Sequence, residues 1–135
     1  MHTSVSGERS YAFNKTRQAS LADDLRFADT HWTRLRGLVG TKAAQFAKGQ
    51  GLWIVPCRGV HTLGMGFPID VIYLNADNTV VHLESNLPPW RFAPVRWNAK
   101  TVLEIPVGTI RATSTTLGDC IEIHRASSRE RTFHT

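Results

Sequence analysis

Cysteine and long apolar runs are scarce in this sequence, and acidic residues are missing from two extended stretches. No apolar run approaches the ~20 residues of a membrane-spanning helix, and residues 1–13 lack the apolar core of a secretory signal, so the sequence predicts a cytoplasmic protein. Its two cysteines, Cys57 and Cys120, permit one disulfide, but we expect free, mostly buried thiols in that compartment. Because no cysteine–histidine spacing typical of a metal site occurs, the sequence predicts no metal and no cofactor.

Aspartate and glutamate are absent from residues 30–69 and 85–100, although the 135-residue chain contains 11 of them. The two stretches contain these basic residues: Arg34, Arg36, Lys42, Lys48, Arg58, Arg91, Arg96 and Lys100. Arginine outnumbers lysine in a chain of net charge +5, and arginine suits bidentate pairing with carboxylates or phosphates. An anionic ligand or nucleic acid is therefore permitted. Since no nucleic-acid-binding motif accompanies the charge, we favour a solvated basic surface and do not expect nucleic acid as the partner.

The length and composition suit a single globular domain. A hydrophobic content of 41% and a charged content of 20% are ordinary for such a protein. No internal repeat, low-complexity tract or long linker divides the chain. We predict a disordered N-terminus over residues 1–8, one domain over residues 9–124 and a flexible basic tail over residues 125–135.

Short apolar or alternating runs bounded by turn residues predict mostly β-structure. The predicted strands are residues 9–15, 51–56, 69–75, 79–85, 101–107 and 119–124, and a tight hairpin joins the third to the fourth. Residues 22–28 fit the strand and helix periods equally well. Residues 108–118 are expected to form a turn with a short strand, or a loop.

One clear helix is predicted from Asp29 or Thr30 to Gly40. Its apolar residues, Trp32, Leu35, Leu38 and Val39, lie near one face at helical spacing. A second, short helical turn is expected over residues 42–48. The predicted fold is therefore a small, mainly β, single-domain barrel or sandwich with one or two short helices packed at one side.

Candidate chemistry is densest in residues 51–75, which contain Cys57, His61, Thr62, Met65 and Asp70. Asp70 alternates with apolar residues in an extended run, and a buried carboxylate is costly unless it is paired or accepts several hydrogen bonds. It could act as a general acid or base with a raised pKa. We favour a structural role, in which Asp70 binds loop N–H groups or pairs with Arg34.

Four other side chains have both a functional and a structural interpretation. Arg34 could clamp an anion or form a buried ion pair. His61 could be an acid–base group or a metal ligand, although we favour a loop histidine bonded to a backbone carbonyl. A Cys57–His61 nucleophile pair is conceivable, but nothing marks the thiol as reactive, and no ligand spacing supports a metal site from Cys57, His61 and Asp70. Glu104 would be a second carboxylate near Asp70 if their strands are neighbours.

The proline-containing loop at residues 88–97 alternates Trp90, Phe92 and Trp97 with Arg91 and Arg96. We expect these aromatic side chains to cover one end of the β-structure. Contact with a protein partner is the second interpretation, and stacking against nucleic acid is the third.

Ordered blocks of residues resemble one known family. The blocks are Thr30, Arg34, Gly37-Leu38 and Gly40; Gly51-Leu52-Trp53-Ile54, Pro56-Cys57 and His61-Thr62; Met65 and Phe67-Pro68-Ile69-Asp70; Asn86-Leu87 and Pro89-Trp90-Arg91; Leu103-Glu104, Pro106 and Gly108; and Gly118-Asp119. Over about residues 22–123 the chain resembles the DUF192 family, small prokaryotic proteins of unknown function. The resemblance implies one mainly β domain and no established activity. Val39, Gly64 and Gly66 depart from the side chains common in that family.

The leading functional prediction is a non-enzymatic binding or accessory module that holds a small anionic ligand or a protein segment. The predicted binding residues are Arg34, Cys57, His61, Thr62, Met65, Asp70, Trp90 and Arg91. The alternative is an enzyme that uses Asp70 and His61 as acid–base groups. The sequence does not specify an oligomeric state.

Overall fold

The computed structural model describes residues 8–29, 38, 40–62 and 64–127. The strands are β1 (Tyr11–Asn14), β2 (Ala19–Ala22), β3 (Asp24–Ala28), β4 (Gln50–Ile54), β5 (Ile69–Leu74), β6 (Val80–Leu87), β7 (Thr101–Pro106) and β8 (Ile121–His124). A 3-10 turn covers Ala43–Gln45, and one short helix, α1, covers Thr109–Thr113. Arg34 and most of the helix predicted to end at Gly40 lie outside the described residues, as do residues 1–7 and 128–135 of the predicted disordered ends.

The strands form two sheets that pack as a sandwich. One sheet has the order β2-β1-β8, and the other has the order β3-β4-β7-β5-β6. Only the β3–β4 pair is parallel; the other described pairs are antiparallel. The prediction of a small, mainly β single domain is confirmed, with the sandwich rather than a closed barrel as its form in the described part of the chain.

The five-stranded sheet is buried on both faces, which places two hydrophobic cores back to back. One face of β5 and β7 packs against the three-stranded sheet; this sandwich core includes Leu21, Ile72, Leu103, Ile105 and Ile121. The opposite face packs under loops; this loop core includes Phe46, Leu52, Met65, Val71 and Tyr73. All six residues of β5 are buried, as expected for a strand covered on both sides.

Two local predictions were resolved by long-range contacts. Residues 24–28, which fit both periods, form β3 because they pair in parallel with β4. The turn or loop expected at residues 108–118 contains α1 instead. In the described part of the chain, no helix has the length and apolar character needed to cross a membrane.

Candidate functional site

Asp70 is a fully buried structural acceptor at the start of β5. Its Oδ1 accepts a hydrogen bond from the Asn86 N–H at 2.8 Å, and its Oδ2 accepts from the N–H groups of Gly108 at 3.1 Å and Ile110 at 2.9 Å. Three donors satisfy both oxygens of the carboxyl group, so the cost of burying it is compensated. Asp70 thereby ties the end of β6 and the first turn of α1 to the central strands.

Glu104 lies on the opposite face of the same sheet. In the β5–β7 register Val71 is opposite Glu104 and Asp70 is opposite Ile105, and successive side chains of a strand point to opposite faces. The two carboxyls are therefore on neighbouring strands but do not form a pair, and they do not provide the paired acids of a glycosidase.

The carboxyl of Glu104 is buried among apolar side chains. Only 2% of the residue is exposed, and its register partners are Leu52 and Val71. Oε1 has no hydrogen-bond partner in the described part of the chain. Burial raises the pKa of Glu104 to about 8, so the side chain is mostly a neutral acid at neutral pH.

Thr62 joins two loops through hydrogen bonds of its side chain and its backbone. Its hydroxyl donates to the Pro88 carbonyl at 2.6 Å and accepts from the Arg91 N–H at 2.8 Å. Its backbone N–H donates to the Arg91 carbonyl, and its carbonyl accepts from the Trp90 N–H. The side chain is fully buried, which indicates a structural role.

Residues 58–62 and 90–96 run alongside each other as an irregular two-stranded segment, here called the loop ribbon. His61 forms an isolated antiparallel bridge with Phe92, and the Arg96 N–H donates to the Arg58 carbonyl at 2.9 Å. The Tyr73 hydroxyl donates to the Pro94 carbonyl at 2.7 Å. The last bond fixes the ribbon to the central sheet on the loop-core side.

The close approach of the two loops depends on Gly59. A Cβ at this position would lie 3.2 Å from Val95 Cγ2 and 3.3 Å from the Pro94 carbonyl oxygen. These distances are shorter than ordinary van der Waals contacts, and two of the three nearest atoms, the Pro94 carbonyl oxygen and Val95 Cα, belong to the backbone. A side chain at Gly59 would therefore push the two halves of the loop ribbon apart.

Most aromatic side chains of this ribbon face solvent. Trp90, Phe92 and Trp97 are 63%, 73% and 80% exposed. The expectation that they cover one end of the β-structure is therefore wrong. Of the nearby residues, Ala93 is buried within the same loop, and Tyr73, which donates to the Pro94 carbonyl, is buried in the sheet.

Three arginines accompany these rings. The guanidinium carbon of Arg58 lies 5.8 Å from the centroid of the Trp97 ring, a cation–π contact. Arg91 and Arg96 follow Trp90 and Val95 directly in the chain, and both are exposed. We call the set Arg58, Trp90, Arg91, Phe92, Val95, Arg96 and Trp97 the aromatic loop surface.

The predicted binding residues are not all in one place. His61, Trp90 and Arg91 meet at the loop ribbon, and Cys57 directly precedes it, half-buried, with its thiol 2.8 Å from the Gly59 carbonyl oxygen. Met65 is buried in the loop core. Asp70 belongs to the other face of the sheet, and Arg34 lies outside the described residues.

Cys57 and Cys120 are not joined in a disulfide, and the expectation that both are buried is wrong for Cys120, which is exposed. No group of three or more His, Cys, Asp or Glu side chains in the described ranges is arranged to hold a metal ion. Sequence reasoning missed the contributions of Arg58 and Val95 to the surface, although the absence of acidic residues around them was a usable signal.

Comparisons with known proteins give a consistent picture. The model of the DUF192 family, described as Uncharacterized ACR, COG1430, matches residues 12–123. The UPF0127 protein PF1050 of Pyrococcus furiosus is 35% identical over 117 residues, which cover 83% of this chain and 97% of that protein. A UPF0127 protein of Thermococcus sibiricus is 33% identical over 81% of this chain and 71% of its own length.

Two crystal structures share the fold. A protein of unknown function from Novosphingobium aromaticivorans has a TM-score of 0.74 at 19% identity, covering 84% of this chain and 83% of its own. A putative transcription regulator from Sinorhizobium meliloti has a TM-score of 0.72 at 23% identity, covering 86% of this chain and 92% of its own. With the family model matching most of its length, the chain belongs to the DUF192 family.

Proposed function

We propose that this protein is a non-enzymatic binding module that holds an acidic protein segment on its aromatic loop surface. The observation that carries the proposal is the exposure of Trp90, Phe92 and Trp97 within eight residues of chain. Large exposed aromatic side chains are uncommon on a monomer surface and typical of binding hot spots.

The charge of the surface favours an acidic partner. Arg58 contacts the Trp97 ring, Arg91 and Arg96 alternate with the aromatic residues along the chain, and no acidic residue occurs in residues 51–69 or 85–100. Arginine combines stacking on aromatic groups with bidentate hydrogen bonds to carboxylates. A segment with Asp or Glu beside apolar residues would match both properties.

The backbone at Trp90 supports a functional rather than incidental exposure. Trp90 has a φ of 62°, a left-handed conformation that is unfavourable for a bulky residue. Such strain persists where surrounding bonds impose it and is concentrated at binding sites. Here the Trp90 N–H is held by the Thr62 carbonyl at 2.9 Å.

The alternative, an enzyme with Asp70 and His61 as acid–base groups, has less support. Asp70 is fully buried and both of its oxygens already accept backbone hydrogen bonds. It also faces the sandwich core, whereas His61 belongs to the loop ribbon on the other side of the sheet. A general base must reach the proton that it removes.

Selection from a random peptide library displayed on phage tests the proposal without a known partner. We expect the wild-type protein to enrich peptides that combine acidic and apolar residues. The triple variant Trp90→Ala, Phe92→Ala, Trp97→Ala should lose the enrichment. Leu117→Ala is the matched control, because Leu117 is also an exposed apolar side chain, at 60%, but lies far from the ribbon in sequence.

Two outcomes would contradict the proposal. One is the absence of any enriched peptide, and the other is equal enrichment by the triple variant. Fluorescence anisotropy with single-stranded oligonucleotides covers the competing class: tight binding that weakens steeply with salt would assign the surface to nucleic acid instead.

A further inference from the structure

Strand β6 forms an open edge of the five-stranded sheet. It is the last strand in the sheet order, and in the described part of the chain no strand lies beyond it. Its first residue is covered, because the Val80 N–H donates to the Asp119 carbonyl and the Val80 carbonyl accepts from Gly118. The remainder, seven residues from Val81 to Leu87, contains no proline, lysine or arginine. Those are the residues that commonly protect an edge from pairing with another chain.

The middle of β6 is a regular strand. His82, Leu83 and Glu84 are opposite Tyr73, Ile72 and Val71 of β5, and the irregularities in this pairing lie on either side of them. A regular segment at the edge of a sheet can act as a template for a further strand.

The side chains of this segment are complementary to themselves. In an antiparallel pair of two β6 strands with the two-fold axis at Leu83, each His82 is opposite the Glu84 of the other copy, and each Leu83 is opposite its own counterpart. A histidine ring nitrogen and a carboxylate on directly opposite residues can form a hydrogen bond across the strand pair. A shift by one residue would place His82 opposite Leu83, so this pairing also selects the register.

The same two side chains already interact within one copy. His82 Nε2 lies 2.6 Å from Glu84 Oε2, and their side chains are 21% and 29% exposed. The ring of His82 also packs edge-on against Tyr73, with 4.9 Å between the ring centroids. Both groups are thus held on the loop-core face of the edge, in position to meet the second copy.

We propose that the protein forms a two-fold symmetric dimer through antiparallel pairing of β6 with β6 of a second copy, centred on Leu83. The two five-stranded sheets then continue as one sheet, and the loop cores of both copies lie on the same side. This inference is independent of the proposed function, because β6 does not belong to the aromatic loop surface.

Analytical ultracentrifugation of the full chain tests the dimer. We expect wild-type protein to reach twice the chain mass of 15.1 kDa as its concentration rises. Glu84→Lys replaces the acceptor opposite His82 with a second donor and should give a monomer, while the double variant His82→Glu, Glu84→Lys places a lysine opposite each glutamate and should dimerise again. Asp77→Lys makes the same change of charge in an exposed turn and should leave the dimer intact.

Cysteine cross-linking provides a second measurement, which does not depend on whether the charge variants fold. In a background of Cys57→Ser and Cys120→Ser, Leu83→Cys should oxidise to a covalent dimer, since the two thiols meet at the axis within disulfide reach. Ser85→Cys is the control, because it would lie opposite Val81. A wild-type monomer at all concentrations, a persistent dimer in Glu84→Lys, or equal cross-linking at both positions would overturn the proposal.

Discussion

Asp70 and Glu104 lie one register position apart on adjacent strands and leave the sheet in opposite directions. Asp70 enters a ring of three N–H donors, whereas Oε1 of Glu104 has no partner among the described residues. The two acids therefore differ in their hydrogen bonding, although both are buried. Asp70 stabilises the fold as an acceptor of three hydrogen bonds, whereas Glu104, whose pKa burial raises to about 8, stabilises the fold most in its neutral form.

The stability of the protein should decrease as pH rises from about 4.5 to about 8, because of Glu104. The native state retains a proton on Glu104 up to its pKa of about 8, whereas the unfolded chain releases it near the ordinary value of 4.5. The native state binds more protons in this window, so the free energy of unfolding falls with pH and levels off above the window.

Glu104→Gln should remove this contribution. At pH 7 the variant should be more stable than the wild type by on the order of 3 kcal/mol, since one pKa unit corresponds to about 1.4 kcal/mol. Urea unfolding of both proteins from pH 4 to pH 9 measures the difference. If the free energies of unfolding of the two proteins changed with pH in parallel, Glu104 would be ionised at neutral pH in the native state.

Asp70→Asn should destabilise the protein by about 3 kcal/mol or more, because an amide replaces one accepting oxygen with a donor that faces other donors. Urea unfolding at neutral pH measures the loss. Asp77→Asn is the matched control, since Asp77 is exposed in the turn between β5 and β6, and should change stability little. A stable Asp70→Asn variant with an intact α1 would contradict the structural role.

Thr62→Val should loosen the loop ribbon while preserving the size of the side chain. Loss of the hydroxyl leaves the Pro88 carbonyl without its donor and the Arg91 N–H without its acceptor, at a cost of about 1–3 kcal/mol. Hydrogen exchange at the Arg91 amide should accelerate. Thr116→Val, which removes an exposed hydroxyl bonded to Ser114, should not affect that amide.

Neither tyrosine should ionise at its ordinary pKa of 10.0 in the folded protein. Burial is the largest cause that raises the pKa of Tyr73, and the negative charge of Glu84 raises it further. The hydrogen bond that Tyr11 donates to Glu122 raises the pKa of Tyr11. Phenolate absorbance should therefore appear only above pH 10. In urea both groups should titrate near 10. In the Tyr73→Phe variant, only the phenolate absorbance of Tyr11 should remain. Ionisation of both tyrosines near pH 10 in the native wild-type protein would refute the prediction.

Most strands were predictable because their signals are local. The hairpin that joins β5 to β6 was expected from two apolar runs around a short polar connection, and the structure confirms it. The strand predicted over residues 51–56 corresponds to β4, which ends at Ile54. The structural alternative for Asp70, binding of loop N–H groups, was also predicted, but the sequence did not identify Asn86, Gly108 and Ile110 as the donors.

The missed features depend on contacts between distant parts of the chain. Asp70 caps the first turn of helix α1 by accepting from the N–H groups of Gly108 and Ile110, which follow it by 38 and 40 residues in the chain. Residues 108–118 alone therefore give no helix signal. The exposure of Trp97 could not be read from its sequence neighbours, because it depends on how the whole loop lies on the sheet. Which face of the sheet each of Asp70 and Glu104 occupies could be determined only from the pairing register of their strands.

The hydrogen bonds of Thr62 and Tyr73 to the loop ribbon bear on the thermodynamics of association. A surface whose backbone is already fixed loses little conformational entropy when a partner arrives, and only side-chain rotamers remain to be ordered. Tryptophan and phenylalanine have few rotatable bonds. Association at this surface should therefore retain a larger share of the free energy gained by burying its rings than association at a loop that must fold on contact.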